Sequence, residues 1–168
     1  CMNAKINIKD SILETNRLVL RPFKRSDLDD FYAYAKVWGV GQMAGWLPHQ
    51  SIKQSQEILE KFIEGEKTFA IVYKNNHKVI GSIWIENLRN IDEEKLKKLK
   101  GRELGFVLSK EYWGLGIMPE AVKKVIDYLF HDCNLDFITC SYFIDNNQSK
   151  RVQEKLSLIH ISEPTRPY

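Results

Sequence analysis

The segment of the sequence best suited to chemistry is a pair of glycines between a strand-like run and a helix-like run. Residues 103–108 are largely apolar, residues 112–116 read Tyr-Trp-Gly-Leu-Gly, and Pro119 suits the first turn of a helix. The first turn of a helix has backbone N–H groups without intrahelical partners, and the helix dipole adds about half a positive charge there. Glycine lets a ligand approach the backbone closely. The segment therefore predicts an anion site, whose most frequent ligand is phosphate.

Two common phosphate-binding motifs do not fit this segment. A P-loop requires Lys followed by Ser or Thr after its second glycine, whereas Ile117 and Met118 stand there. A dinucleotide fingerprint requires a third glycine where this chain has Pro119, within the first strand–helix unit of the chain. Two interpretations stay open on these residues alone, namely a site for the diphosphate of another ligand and a tight turn without a ligand.

The flanking sequence predicts the elements that would position this turn. Apolar residues recur with period two in strand-like runs and with period 3.6 in helix-like runs. Their order, β-α-α-β-β-β-α-β-α, indicates a mixed α/β sandwich without an internal repeat, and residues 92–100 add a charged helical excursion. The predicted strands are 17–22, 69–74, 79–85, 103–108 and 136–142, and the predicted helices run from Ser26, from Ser51 to a C-cap at Gly65, from Pro119, and over 146–155.

The composition is that of a globular protein and excludes several classes. The 168 residues are 43% hydrophobic and 28% charged, which predicts one domain and excludes collagen, disorder and coiled coil. A formal charge of +3 is too small to predict binding to nucleic acid or to a membrane surface. Cys1, Cys133 and Cys140 have no metal-ligand spacing, so we expect free thiols, no metal and a reducing compartment. No signal-peptide or membrane-spanning pattern is present, and we expect a cytoplasmic monomer or homodimer.

Residues 112–121, Tyr-Trp-Gly-Leu-Gly-Ile-Met-Pro-Glu-Ala, resemble the acyl-CoA loop of the GNAT acetyltransferases. They are most similar to the branch that acetylates the N-termini of ribosomal proteins. The resemblance extends over residues 14–155 and includes an opening strand at 16–23 and a last helix at 145–155. It implies the GNAT acyl-CoA N-acyltransferase fold, a central mixed β-sheet with splayed fourth and fifth strands, flanked by helices.

The C-terminal segment departs from the family pattern. Where the family continues with Gly-Phe and a closing β-hairpin, residues 156–168 read Leu-Ser-Leu-Ile-His-Ile-Ser-Glu-Pro-Thr-Arg-Pro-Tyr, which resembles a translated sequencing adapter. We therefore expect a C-terminally truncated N-acetyltransferase domain at residues 1–155 and a non-native tail at 156–168. The last two strands of the family fold would then be missing.

The resemblance implies acetyl transfer from acetyl-CoA to a primary amine, either a protein N-terminus or a small molecule, by direct attack and without a metal. Backbone groups near Phe106, Val107 and Leu108 would bind the pantetheine arm as a strand would. Asn146 would contact the same cosubstrate. The backbone N–H groups expected to bind the diphosphate are those of Trp113, Gly114, Leu115, Gly116, Ile117 and Met118.

The expected catalytic residues each have a structural alternative. Ser149 matches the family serine proposed to protonate the leaving thiolate, but it also suits a hydroxyl in the first turn of a helix. Glu103 is a candidate for a base acting through water, or else forms an ion pair at a strand end. Glu120 is expected to be a dipole partner in the first helical turn.

The acceptor residues and the activity itself also have alternatives. Trp46 and His49 lie in the loop that covers the acceptor in the family, but aromatic residues in such loops also pack locally. A non-catalytic acyl-CoA-binding or sensing module would keep the glycine turn without a working acid and base. An inactive truncated fragment is the third possibility.

Overall fold

The computed structural model describes residues 6–87 and 100–140. Short 3-10 turns lie at Arg25–Asp27, Gly41–Ala44 and Lys110–Tyr112. The predicted helices at 92–100 and 146–155 lie outside the described residues, except for Lys100, which is not helical, and the tail at 156–168 also lies outside them. The elements in chain order are β1 (Leu13–Glu14), β2 (Leu18–Pro22), α1 (Leu28–Ala35), α2 (Ile52–Gly65), β3 (Thr68–Tyr73), β4 (Lys78–Glu86), β5 (Gly101–Leu108), α3 (Ile117–His131) and β6 (Phe137–Cys140).

Within the part of the chain that the structure describes, the strands form a six-stranded mixed sheet whose order, β1 to β6, follows the chain. The pairs from β1 to β5 are antiparallel, and β5 and β6 are parallel. Parallel neighbours require a crossover connection, which α3 provides. The two-glycine turn at residues 114–116 therefore lies between the carboxyl end of β5 and the start of this crossover helix. The mixed α/β fold predicted from the sequence is confirmed.

Helices cover both faces of the sheet, and the central strands β3, β4 and β5 accordingly bury residues of both parities. On the face of α3, Leu104, Phe106 and Leu108 of β5 join the apolar stripe of the helix. On the opposite face, Val107 packs with residues of α1 and α2, such as Phe31. The end of β5 is thus packed from both sides, which fixes the position of the turn that follows it.

The helix α3 begins at Ile117, two residues before the predicted start at Pro119. Gly116 precedes it in the left-handed region, with φ 77°. Pro119 falls within the first turn, where its missing N–H removes no helical hydrogen bond. The anchors of the first turn are apolar, since the side chains of Ile117 and Met118 are fully buried.

The helix α2 begins as predicted and ends differently. The Gln54 N–H donates to the Ser51 hydroxyl at 3.2 Å, which confirms Ser51 as the N-cap. The helix includes Gly65, and the left-handed C-cap residue is Glu66, with φ 52°. The predicted C-cap was therefore wrong by one residue. Glycine is the residue most favoured in the left-handed position that ends a helix, yet in α2 that position is occupied by Glu66, and Gly65 is the last helical residue.

Candidate acyl-CoA and acceptor sites

The turn after β5 is an exposed stretch of backbone built around two left-handed glycines. Gly114 has φ 80° and Gly116 has φ 77°, conformations that residues with a Cβ rarely adopt. Residues 114–116 are all exposed, and the Leu115 side chain is 53% exposed. The two glycines therefore have a conformational requirement here, in addition to the close approach of a ligand that the sequence suggested.

The backbone donors of this turn point to an anion site. Within the described residues, the N–H groups of Gly114, Leu115, Gly116, Ile117 and Met118 make no hydrogen bond of good geometry, and only weak ones close the turn at residues 113–116. The Glu120 N–H makes the first intrahelical hydrogen bond of α3, to the carbonyl of the N-cap residue Gly116 at 3.3 Å. Of these five, Gly114, Leu115 and Gly116 are exposed residues whose amides a ligand can reach at the positive end of a 15-residue helix, whereas Ile117 and Met118 are buried.

Trp113 has a different place from the one expected. Its backbone N–H donates to the Lys110 carbonyl at 3.1 Å, so this predicted donor is already used. Its indole N–H donates to the Leu108 carbonyl at 2.7 Å, and the Lys110 ammonium lies 5.8 Å from the indole ring centroid. Trp113 therefore ties the start of the turn to the end of β5.

The other end of the turn is held by two charged residues, Arg17 and Glu120, which are 103 positions apart in the sequence and contact each other. The Arg17 guanidinium donates to the Leu115 carbonyl at 3.0 Å and, through Nε, to Glu120 at 2.8 Å. The second carboxylate oxygen of Glu120 accepts from the Thr15 hydroxyl at 2.5 Å and from the Arg17 backbone N–H at 3.1 Å. Burial alone would raise the pKa of Glu120, but the hydrogen bonds from Thr15 and Arg17 and the charge of Arg17 lower it overall. Glu120 is therefore an ionised anchor.

The expected pantetheine site lies on the outer half of β5. Pairing with β6 covers Gly101–Leu104, and Gly105–Leu108 have no partner strand on that edge within the described residues. The side chains of Phe106, Val107 and Leu108 are buried, so this edge offers a ligand mainly backbone groups. One carbonyl, that of Leu108, already accepts the Trp113 indole.

Between the helices α1 and α2 and the sheet lies a cavity of about 610 Å³. The residues predicted to bind the acceptor, Trp46 and His49, both line it, with ring centroids 5.1 Å apart. Most of the wall is aromatic or aliphatic, and the described lining contains one carboxylate and neither lysine nor arginine. The lining residues are Phe31, Ala44, Trp46, Leu47, His49, Gln54, Ile58, Phe62, Thr68, Trp84, Ile85 and Glu86.

His49 is a buried and neutral member of this wall. It is 8% exposed, its Nδ1 lies 2.6 Å from the Ser55 hydroxyl, and its backbone N–H donates to the Ala35 carbonyl at 3.0 Å. Burial lowers the pKa of His49, so the imidazole is uncharged at neutral pH. The ring adds no positive charge that would repel an ammonium group.

The two predicted catalytic residues differ in what the structure describes. Glu103 lies on β5, half-buried, opposite Glu86 of β4 and beside Thr139 of β6. Burial and the nearby charge of Glu103 raise the pKa of the Cys140 thiol to about 12, so this thiol is protonated at neutral pH. Ser149 and the predicted cosubstrate contact Asn146 lie outside the described residues.

The described residues contain neither a cluster that could hold a metal ion nor a helix that could span a membrane. Across 6–87 and 100–140, no group of three or more His, Cys, Asp or Glu side chains could hold a metal ion. In the same ranges no helix has the length and apolar character needed to cross a membrane.

The sequence and the fold of this chain are similar to those of known acetyltransferases. Residues 17–158 match the family model described as an acetyltransferase (GNAT) domain. The uncharacterized N-acetyltransferase p20 of Bacillus licheniformis is 30% identical over 151 residues, covering 86% of this chain and 80% of that protein. A GNAT-family acetyltransferase structure from Bacillus anthracis superposes with a TM-score of 0.74 at 21% identity, over 86% of this chain and 81% of that one. The ribosomal-protein-S5-alanine acetyltransferase of Vibrio fischeri gives a TM-score of 0.63 at 28% identity, over 88% and 82%.

Proposed function

This chain belongs to the GNAT family of acetyltransferases, and we propose that it uses acetyl-CoA to acetylate a primary amine. The observation that carries the proposal is the run of five backbone N–H groups at residues 114–118 that make no hydrogen bond of good geometry in the described structure, three of them on exposed residues. A diphosphate supplies several oxygen acceptors and a negative charge, and it fits the exposed turn and the positive helix end together. The edge of β5 at Gly105–Leu108, which has no partner strand among residues 6–87 and 100–140, would accept the amide-bearing pantetheine arm in the manner of an added strand.

The donor supplies an acetyl thioester whose C–S bond breaks as the amine nitrogen bonds to the carbonyl carbon, leaving a thiolate that takes up a proton. Residues of this chain must remove a proton from the amine and provide one to the thiolate. We assign the first role to Glu103, acting through water, and the second to Ser149. Asn146 would contact the pantetheine arm. These three assignments rest on the family resemblance and on the position of Glu103 on β5.

We assign the acceptor to the cavity lined by Trp46 and His49. Attack requires the neutral amine, and an apolar wall lowers the pKa of a buried ammonium group. The aromatic rings also attract the ammonium form as it arrives, and Glu86 is the one carboxylate of the described lining. The cavity therefore favours an amine with an apolar group beside it over a polyamine carrying several charges.

Two classes of acceptor satisfy this description, a small arylalkylamine and the N-terminal residue of a protein. The second is supported by the Vibrio fischeri relative, whose name gives a ribosomal-protein alanine as its substrate. A cavity of about 610 Å³ has room for a side chain and the adjoining backbone of a terminal residue.

The experiment that tests the proposal measures thiol release from acetyl-CoA in the presence of a panel of amines. The panel contains phenethylamine, spermidine and short peptides beginning with alanine or serine. We expect turnover with phenethylamine or a peptide and little with spermidine. Tight CoA binding without turnover of any amine would support the non-catalytic acyl-CoA-binding module, and no CoA binding would support the inactive fragment.

A further inference from the structure

We propose that Arg17 and Glu120 are positioning residues that hold the glycine turn in the geometry that binds the CoA diphosphate. The proposal rests on the function proposed above. It adds a role for two residues that touch neither the thioester nor the amine. We refer to this pair, with the Thr15 hydroxyl, as the Arg17–Glu120 clamp.

The clamp connects the chain just before β2 to the glycine turn and to the first turn of α3. Arg17 binds the Leu115 carbonyl at 3.0 Å within the turn and Glu120 at 2.8 Å in the first turn of α3. Both carboxylate oxygens of Glu120 are used, one by Arg17 Nε and the other by Thr15 Oγ1 and the Arg17 N–H. The side chains of Arg17 and Glu120 are 35% and 22% exposed, so solvent screens the pair only in part.

Holding one carbonyl fixes the direction of a donor. A peptide unit is planar and trans, so the C=O of one residue and the N–H of the next point in opposite directions. Arg17 holds the Leu115 carbonyl, and the Gly116 N–H of the same peptide unit must then point away from Arg17. The clamp therefore sets the orientation of one of the five donors at residues 114–118.

A turn with two left-handed glycines needs such an anchor. Glycine has more conformational freedom than any other residue, and no described atom lies within 4 Å of the Cβ position of Gly114. Among the described residues, Trp113 ties the start of the turn to Leu108 and the clamp holds the Leu115 carbonyl in its middle. Without the clamp the five N–H groups would have to be ordered when CoA binds, and the affinity would fall accordingly.

A competing role for Arg17 makes the opposite prediction for one substitution. If Arg17 were a direct ligand of the diphosphate, removing the negative charge of Glu120 would strengthen CoA binding by simple electrostatics. If Glu120 positions the turn, its removal weakens CoA binding. Glu120→Gln separates the two roles, because the glutamine amide keeps the size of the side chain but has only one oxygen acceptor.

The experiment measures the dissociation constant of CoA by titration calorimetry for the wild type and for Glu120→Gln. We expect the dissociation constant to rise by about tenfold, the change that follows from losing one charge-assisted hydrogen bond. Hydrogen exchange of the amides at residues 114–118 should become faster in the CoA-free variant. In turnover, KM for acetyl-CoA should rise while kcat and KM for the amine stay within about twofold.

A matched control and a milder variant complete the design. Asp27→Asn breaks another partly buried ion pair of β2, in which Arg21 makes two hydrogen bonds of 2.9 Å to Asp27. It should lower the melting temperature without changing the CoA dissociation constant. Thr15→Val removes one hydroxyl from the clamp and should raise that constant in the same direction as Glu120→Gln, which keeps the test valid if Glu120→Gln does not fold.

The outcomes separate this proposal from the one on which it rests. Failure of the wild type to bind CoA would overturn the proposed function. If the wild type binds CoA and Glu120→Gln binds it equally well or more tightly, the positioning role is overturned and the proposed function stands. An equal loss of CoA affinity in Asp27→Asn would also overturn the positioning role, because the loss in Glu120→Gln would then reflect general destabilisation.

Discussion

Replacing Gly114 by alanine tests whether the left-handed turn binds the diphosphate. Gly114 has φ 80°, and a Cβ built on it meets no described atom within 4 Å. The substitution therefore causes no clash, and its whole effect comes from the backbone conformation. A residue with a Cβ in the left-handed region costs about 1–2 kcal/mol.

The size of the expected effect on affinity follows from that cost. Because the turn is exposed and unpacked at Gly114, alanine relaxes to another conformation in the free protein, and CoA must restore the original one. The dissociation constant of CoA should then rise by about 5- to 30-fold, since 1.4 kcal/mol corresponds to a factor of ten. If part of the strain is retained in the free protein, that part appears as a lower melting temperature.

Titration calorimetry with CoA and a thermal melt are the two assays, and Gly65→Ala is the matched control. Gly65 is the last residue of α2, has no positive φ and has no atom within 4 Å of its Cβ position. Alanine there should leave CoA affinity unchanged and stabilise the protein by about 0.5–1 kcal/mol. A CoA dissociation constant for Gly114→Ala within about twofold of the wild type would refute the assignment of the turn.

Three further predictions concern the acceptor cavity and the sheet. Trp46→Ala should raise KM for an arylalkylamine by about tenfold or more through loss of an aromatic wall, with CoA affinity unchanged in calorimetry; equal weakening of CoA would show that the two sites are not separate. Burial lowers the pKa of His49 below its ordinary 6.5, so the folded state binds fewer protons than the unfolded state. The free energy of unfolding should therefore be highest above about pH 6.5 and fall as the pH drops through that value, and denaturation at several pH values should show a flatter profile for His49→Gln. Gly81→Ala places a Cβ 2.5 Å from the Val107 carbonyl oxygen, so the β4–β5 pair must shift at a cost of about 1–3 kcal/mol; an unchanged melting temperature would contradict this close packing.

Local sequence predicted the turn well because its determinants are contiguous. A strand, two glycines with an obligatory backbone conformation and an apolar helical stripe lie within residues 103–130, and their order alone places the turn at a helix start. The helix α3 was predicted to start near Pro119, a residue suited to the first turn, and Pro119 lies in that turn. In the structure, buried Ile117 and Met118 begin the helix.

Contacts between distant segments could not be predicted in the same way. Arg17 and Glu120 are 103 residues apart, and each also suits a solvated surface position. Only the packing of α3 across the start of β2 brings them together. Glu120 was expected to interact with the helix dipole, and its ion pair with Arg17 adds a role that no local pattern indicates.

The acceptor cavity was predicted only through two of its residues. Trp46 and His49 were chosen from their place in a loop, and the structure puts both in one cavity. The remaining rings come from α1, α2 and β4, whose apolar residues are indistinguishable in sequence from ordinary core residues. Ser149 and Asn146 stay predictions because they lie outside the described residues.

The most direct test of the central claim follows the backbone amide resonances of residues 114–118 by NMR while CoA is added. We expect the largest downfield shifts at these amides, because their N–H groups acquire phosphate oxygens as acceptors. Removing the diphosphate from the ligand, by using pantetheine alone, should abolish those shifts. Saturable CoA binding that leaves the amides of Gly114, Gly116 and their neighbours unshifted would contradict the claim.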